Sequence, residues 1–168
     1  PEEYTIPRAA SNIHGITTKR AKREGHPLRD VMEAFQKAVR ATDGLVAHNL
    51  DFDLPVVGAE LVRLTGKDPL HDTSGTCTMK ESTEYCKIPG YYGFKWPSLQ
   101  ELHETLFGYG FRDAHDAEAD VRAGAKCFLS LLAQDILEVP PSTNRDAAPS
   151  SYSANSHSPN SKGQKPPF

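Results

Sequence analysis

Three absences limit what this chain can be. No apolar run approaches the ~20 residues that a membrane-spanning helix needs, which argues against a membrane protein. The cysteines Cys77, Cys86 and Cys127 are odd in number and lack paired spacing, so we expect reduced thiols in a cytoplasmic protein. The net charge of −3 argues against binding through a strongly basic surface. It does not exclude enzymes of nucleic acids, because metal ions can supply positive charge where a phosphate is cut.

Composition divides the chain into a folded domain at residues 1–139 and a polar tail at residues 140–168. The tail repeats Ser, Asn and Pro and cannot bury enough apolar surface to offset the entropy of ordering, so we predict disorder there. Within the domain, Pro and Gly residues break any long element before residue 28, which predicts an irregular segment at 1–27.

The hydrophobic pattern from residue 28 onward predicts an α/β fold. A helix starts at Leu28 and ends before Gly44, a buried strand follows at 45–47, and a second helix ends at Gly66. A weaker Thr-rich strand is expected within 70–79, interrupted by Gly75. A long connection with several aromatic residues then occupies 80–97.

Two more helices complete the predicted domain. Ser98 and Glu101 have the spacing of a capping box, so a helix begins there, and Gly108 is a fitting stop. The last helix carries an apolar row that we expect to face the core: Val121, Ala125, Phe128, Leu129 and Leu132.

Two short segments bring acidic and histidine side chains to element boundaries. Segment 48–53 follows the predicted strand, and ligands commonly bind at the carboxyl ends of strands in α/β sheets. Segment 115–120 opens the last helix. If both were helical, His115 and Asp120 would lie about 140° apart. We therefore place His115 in the loop before the helix and Asp120 in its first turns.

These residue types suit metal-assisted hydrolysis of phosphodiesters. Mg²⁺ takes oxygen ligands and is often held by one or two carboxylates, so Asp53 and Asp120 are candidate metal ligands. A neutral His115 can deprotonate an attacking water near neutral pH. The plainer alternatives are a helix N-cap at Asp53, a surface loop residue at His115 and a solvated helix position at Asp120.

The same segments resemble motifs of the DEDDh, or DnaQ-like, 3′–5′ exonucleases. His48-Asn49-x-x-Phe52-Asp53 resembles their second motif, and His115-x-Ala117-x-x-Asp120 resembles their third. The segment Ile13-His14-Gly15-Ile16-Thr17 is similar to one that these enzymes carry between the third strand and the first helix. The resemblance runs over about residues 4–137, in the motif order of the family.

The resemblance implies an RNase H-like fold, with a mixed sheet flanked by helices. It also implies removal of nucleotides one at a time from the 3′ end of single-stranded DNA or RNA, in proofreading or repair. Two Mg²⁺ or Mn²⁺ ions would be held in part by Asp53 and Asp120, with His115 as general base. His48, Asn49 and Phe52 would bind substrate or support the site, with Phe52 buried.

The partners that the resemblance implies are nucleic-acid 3′ ends and a DNA polymerase subunit. The tail segment 164–168 also has a weak similarity to peptides that dock on a sliding clamp. The first motif of the family, an Asp-x-Glu pair on a strand, is missing before residue 45. Glu2 and Glu3 are adjacent and lie too close to segment 13–17 to replace it.

We therefore expect an N-terminally truncated domain that lacks its first strands and part of its metal site. The alternatives are a non-catalytic module that binds nucleic acid or a polymerase, and an unstable fragment without a function of its own.

Three further groups of residues have a functional and a structural interpretation. For His14, a structural role in which it binds backbone groups of a turn beside Gly15 is favoured over catalysis. His71, Cys77 and Cys86 match no zinc framework, which favours ordinary thiols. Aromatic residues of the long connection can stack on bases or pack in a core: Tyr91, Tyr92, Phe94 and Trp96.

Overall fold

The computed structural model describes residues 4–70, 73 and 75–138. The predicted tail at 140–168 lies outside the described residues, as does His71 of the hypothetical zinc site. The described part combines helices with two small sheets, so the predicted α/β class is confirmed.

Three helices precede the first strand: α1 (Arg8–His14), α2 (Thr18–Glu24) and α3 (Leu28–Arg40). The prediction of an irregular segment at 1–27 is therefore wrong. Its Pro and Gly residues delimit two short helices instead of preventing them, since Pro7 precedes α1 and Gly15 ends it with a φ of 71°. The helix predicted from Leu28 is confirmed.

The first sheet joins two parallel strands through one long helix. β1 (Leu45–Ala47) pairs with β2 (Gly75–Cys77), and α4 (Leu50–Thr65) lies between them in the chain. Gly75 does not interrupt the second strand as predicted but begins it. A Cβ at Gly75 would lie 2.3 Å from the Leu50 side chain, so glycine lets the start of α4 pack against β2.

The bounds predicted for β1 are confirmed, but its burial is not. Val46 is 44% exposed. Among the described residues β1 pairs with β2 alone. The Val46 side chain is exposed because it lines an open groove, which is described below.

Short elements occupy most of the predicted long connection. They are α5 (Thr78–Glu81), α6 (Thr83–Cys86), and a hairpin of β3 (Pro89–Gly90) and β4 (Gly93–Phe94). Two helices follow, α7 (Leu99–Phe107) and α8 (Ala117–Ala133). The predicted capping box of α7 is confirmed, because Ser98 Oγ accepts from the Glu101 N–H and Glu101 Oε2 accepts from the Ser98 N–H.

Helices α7 and α8 form the main core, and the face predicted for α8 is confirmed only in part. The buried row of α8 is Ala123, Cys127 and Leu131, of which Cys127 and Leu131 pack with Leu102 of α7. The predicted core residues Phe128 and Leu132 pack against this core, whereas Val121 and Leu129 are 71% and 63% exposed. Both rows are apolar and repeat every four residues, so the sequence pattern alone does not decide which one meets α7.

Candidate functional site

A groove of about 940 Å³ lies between β1, the start of α7 and the first half of α8. Three side chains with hydrolytic chemistry line it, namely Asp53, His115 and Asp120. The structure thus brings together residues that belong to two separate sequence motifs. Most of the remaining wall is apolar: Val46, Ala47, Leu99, Phe111, Ala114, Val121, Ala125 and Phe128.

Asp53 lies inside the first turn of α4, since that helix begins at Leu50. The prediction that Asp53 precedes the helix, and the alternative that it is the N-cap, are therefore wrong. Asn49 holds the N-cap position instead. Partial burial raises the pKa of the Asp53 carboxyl, because desolvation disfavours its charged form. A cation at this point would favour the charged form again.

His115 and Asp120 have the predicted arrangement, with the histidine in a loop and the aspartate in the first turns of α8. The backbone N–H of His115 donates to Asp120 Oδ1 at 3.3 Å. Asp116 caps the helix by accepting from the N–H groups of Glu118 and Ala119. The loop and the helix start are thereby fixed to each other by side-chain contacts.

The backbone of this loop is strained. His115 has a φ of 75° and Asp113 a φ of 60°, a left-handed region that non-glycine residues rarely adopt. Such conformations cost of order 1–3 kcal/mol and persist where the surroundings enforce them, often at functional sites. The loop therefore holds His115 in a conformation that it would not adopt by itself.

His48 links three elements at the edge of the groove. Its Nδ1 lies 3.0 Å from Thr78 Oγ1, and its Nε2 lies 2.9 Å from the carbonyl oxygen of Pro97. A carbonyl only accepts, so Nε2 carries the proton. In the neutral ring Nδ1 then accepts from the Thr78 hydroxyl, which has the Ala47 carbonyl at 3.4 Å as a second possible acceptor. Burial lowers the pKa of His48 and favours this neutral form. The geometry suits support of the site, one of its two predicted roles.

Asn49 and Phe52 are not among the residues that line the groove. Asn49 forms the turn between β1 and α4 with a φ of 79°, a conformation that asparagine tolerates better than most residues. Phe52 was predicted to be buried, but it is 65% exposed. Because Leu50 starts the inward face of α4, Phe52 lies about 200° away around the helix.

Sequence reasoning missed Thr78 and Gln100. Thr78 is buried and follows β2 directly, as His48 follows β1. Since Ala47 pairs with Cys77 in the parallel register, the next residues of the two strands are neighbours. Pairing the two predicted strands in parallel would have placed Thr78 beside His48, so this pairing was the signal that could have found it. Gln100 lines the groove and donates from Nε2 to the Phe111 carbonyl at 3.2 Å.

The structural interpretation of His14 is confirmed. Its Nδ1 accepts from the Ile16 N–H at 3.0 Å, in the turn that Gly15 forms after α1. Cys77 and Cys86 belong to two different hydrophobic clusters. Within residues 4–70, 73 and 75–138, no group of three or more His, Cys, Asp or Glu side chains is placed to hold a metal.

The donor set in the groove nevertheless fits one hard cation. Mg²⁺ is commonly held by one or two carboxylates, with water and substrate phosphate completing the shell. Asp53 and Asp120 supply that number of carboxylates on the wall of one groove. A pair of ions about 4 Å apart usually takes more carboxylates than these two, and the described residues bring no third one to the groove.

An α/β fold with an acidic groove at the end of a strand is an arrangement suited to a nuclease. A family model agrees: the RNase_T model, described as exonuclease, matches residues 1–128. The chain therefore belongs to this exonuclease family, and the RNase H-like fold and nuclease class predicted from the sequence are confirmed. A search of curated proteins finds no match. No described helix is long and apolar enough to cross a membrane.

Proposed function

We propose that this protein is a metal-dependent 3′–5′ exonuclease that hydrolyses phosphodiester bonds at the 3′ end of single-stranded DNA or RNA. The observation that carries the proposal is the convergence of Asp53, His115 and Asp120 in one groove. Membership of the exonuclease family supports the same reaction class. Proofreading, repair and contacts with a polymerase subunit or sliding clamp belong to the proposal as contexts for this activity.

Each residue has a definite role in this reaction. Asp53 and Asp120 would hold Mg²⁺ or Mn²⁺, which would supply charge neutralisation for the phosphate and a lowered pKa for bound water. Asp120 already accepts from the His115 N–H, but a carboxylate has about four acceptor positions and keeps room for a cation. His115 takes the proton of the attacking water. His48 keeps β1 and the start of α7 together while the substrate binds.

The test is release of mononucleotides from a single strand in Mg²⁺ or Mn²⁺ and then in EDTA. A 5′-labelled strand shows stepwise shortening if cleavage starts at the 3′ end and scattered products if it is internal. We expect Asp53→Ala, Asp120→Ala and His115→Ala each to lower the rate at least about 100-fold, the lower range for loss of general base catalysis.

Asp51→Ala is the matched control. Asp51 lies in the same helical turn as Asp53 but pairs with Lys80 at the surface and is not among the groove residues. We expect the control to keep the full rate. Release that persists in EDTA, or a normal rate in any of the three groove variants, would contradict the proposal.

A second candidate is a non-catalytic module that binds nucleic acid or a polymerase. It is favoured because the groove holds only two carboxylates and because the described residues contain no metal cluster of three His, Cys, Asp or Glu side chains. Binding of 3′ ends in EDTA, without release in either metal, would support this candidate over the enzyme.

A further inference from the structure

Four aromatic side chains are exposed in one short segment, which we call the aromatic hairpin and define as residues 88–96. Tyr91 and Tyr92 form its tip and are 91% and 95% exposed, while Trp96 is 61% and Phe94 45% exposed. The two tyrosine rings stand at 77° to each other with centroids 4.6 Å apart. Of the two interpretations that the sequence left open, packing in a core is therefore excluded for these four residues.

The fold itself does not require aromatic residues at this tip. Two-residue hairpin turns favour Gly, Asn and Asp, whereas here Tyr91 and Tyr92 occupy the turn and Gly93 follows them with a positive φ of 118°. Single exposed apolar residues are common on protein surfaces, but four aromatic rings within six residues form a patch. Such a patch is expected to contact a partner.

The aromatic hairpin is held firmly against the candidate site. Its ends are closed by the Lys95 N–H, which donates to the Ile88 carbonyl at 2.9 Å. Lys95 Nζ lies 2.6 Å from Glu101 Oε1 at the start of α7. The next residue after the hairpin, Pro97, is fully buried, and its carbonyl bonds to His48. The aromatic hairpin is therefore anchored next to the groove, which begins two residues later at Ser98.

The chemistry of the hairpin favours bases over phosphates as its ligand. Residues 87–96 contain Lys87, Lys95 and no acidic residue, so the segment does not repel a nucleic acid. Lys95 is already paired with Glu101, which leaves ring faces as the larger part of the contact surface. Aromatic faces stack on any base and thereby bind single strands with little sequence preference.

We propose that the aromatic hairpin is a base-stacking platform for single-stranded nucleic acid, which it grips next to the groove that receives the 3′ end. This inference rests on the proposed function for the identity of the ligand. It assigns the substrate a second contact, made by Tyr91, Tyr92 and Trp96 and separate from the carboxylates.

Trp96 is the only tryptophan of the chain and reports directly on this contact. In EDTA and at a fixed salt concentration of about 0.1 M, a dT₁₂ oligonucleotide is titrated while tryptophan fluorescence is followed. We expect quenching by dT₁₂ and little quenching by an abasic strand of the same length. The double variant Tyr91→Ala/Tyr92→Ala should bind dT₁₂ at least about tenfold more weakly.

Tyr4→Ala is the control, since Tyr4 is also an exposed tyrosine, at 67%, but lies outside the hairpin. It should bind as the unaltered chain does. Unchanged affinity in the double variant, or equal quenching by the abasic strand, would overturn the platform. Stacking that persists without any nucleotide release would instead contradict only the proposed function, so the two failures are distinguishable.

Discussion

His48 shows how one side chain can hold a site together without touching the reacting atoms. It follows β1, and its two ring nitrogens reach Thr78 after β2 and Pro97 before α7. The bond to Pro97 requires a proton on Nε2, and in the neutral ring Nδ1 then accepts from the Thr78 hydroxyl. A proton on Nδ1 would turn this nitrogen into a donor, and the Thr78 hydroxyl would then donate to the Ala47 carbonyl, which lies 3.4 Å away.

This dependence on the neutral ring predicts a pH effect on stability. Burial lowers the pKa of His48 below its ordinary 6.5, so the unfolded chain binds a proton more readily than the folded one. Its contribution is complete above about pH 6.5 and is lost as the pH falls through the folded pKa. We expect urea unfolding midpoints to fall between pH 7.5 and 5, and to fall less in His48→Gln.

His26→Gln, at an exposed histidine, controls for loss of an imidazole as such. At pH 7.5, His48→Ala should lower the free energy of unfolding by about 1–3 kcal/mol, the sum of two ordinary hydrogen bonds. If His48→Gln and the unaltered chain lose stability in parallel on acidification, the histidine is not the source of the effect.

The site residues could be predicted from sequence where local signals fix the backbone. Asp120 and His115 lie on opposite sides of a helix start, and helix geometry alone separates them. The exposure of Phe52 could not be predicted in this way, because it depends on whether α4 begins at Leu50 or four residues later, at Leu54. In the structure Leu50 packs against β2, a tertiary contact that the sequence pattern does not show.

Among the elements, α7 has the clearest determinants of its start and end. The Ser98–Glu101 capping box opens it, and Gly108 closes it with a φ of 76°. Glu101 serves both the cap and the ion pair with Lys95, which together hold its pKa below the usual value. One carboxylate thus connects the helix start to the aromatic hairpin.

Loss of the cap should destabilise the chain measurably. Ser98→Ala removes the acceptor for the Glu101 N–H, and such changes cost about 1 kcal/mol. The measurement is the free energy of unfolding in urea, with Ser98→Asp as the matched variant that restores an acceptor. Equal stability of Ser98→Ala and the unaltered chain would show that the cap contributes nothing.

Elements with strong end signals could be predicted from sequence, while those without them could not. The bounds of β1 and the start of α7 follow from local patterns. The hairpin of β3 and β4 has only two residues in each strand, too few for a recognisable alternation. The inward face of α8 depends on where α7 lies, since both of its apolar rows satisfy the helical period.

At the scale of the whole molecule, the described residues bury two hydrophobic clusters and leave a third apolar surface open. One cluster lies around Leu102 and Leu131, the other around Leu50 and Met79. The open surface is the groove wall, where Val46 and Val121 are exposed. Sequence reasoning could not reveal it, because apolar periodicity is the same in a covered and an uncovered face.

This open surface should bind apolar probes and promote self-association. Contiguous exposed apolar side chains, unlike singly scattered ones, often mark contact surfaces. We expect the chain to enhance fluorescence of the dye ANS and to elute earlier from a sizing column as concentration rises. Val121→Lys should weaken both effects while the free energy of unfolding changes by less than about 0.5 kcal/mol, because this side chain is 71% exposed.

Val56→Lys is the matched control, since Val56 is 50% exposed on α4 and is not among the residues that line the groove. It should leave dye binding and elution unchanged. The groove wall is the source of association only if the two valines differ. Equal dye fluorescence in both variants and the unaltered chain would place the dye-binding surface outside the groove. The groove wall would then not be the cause of self-association.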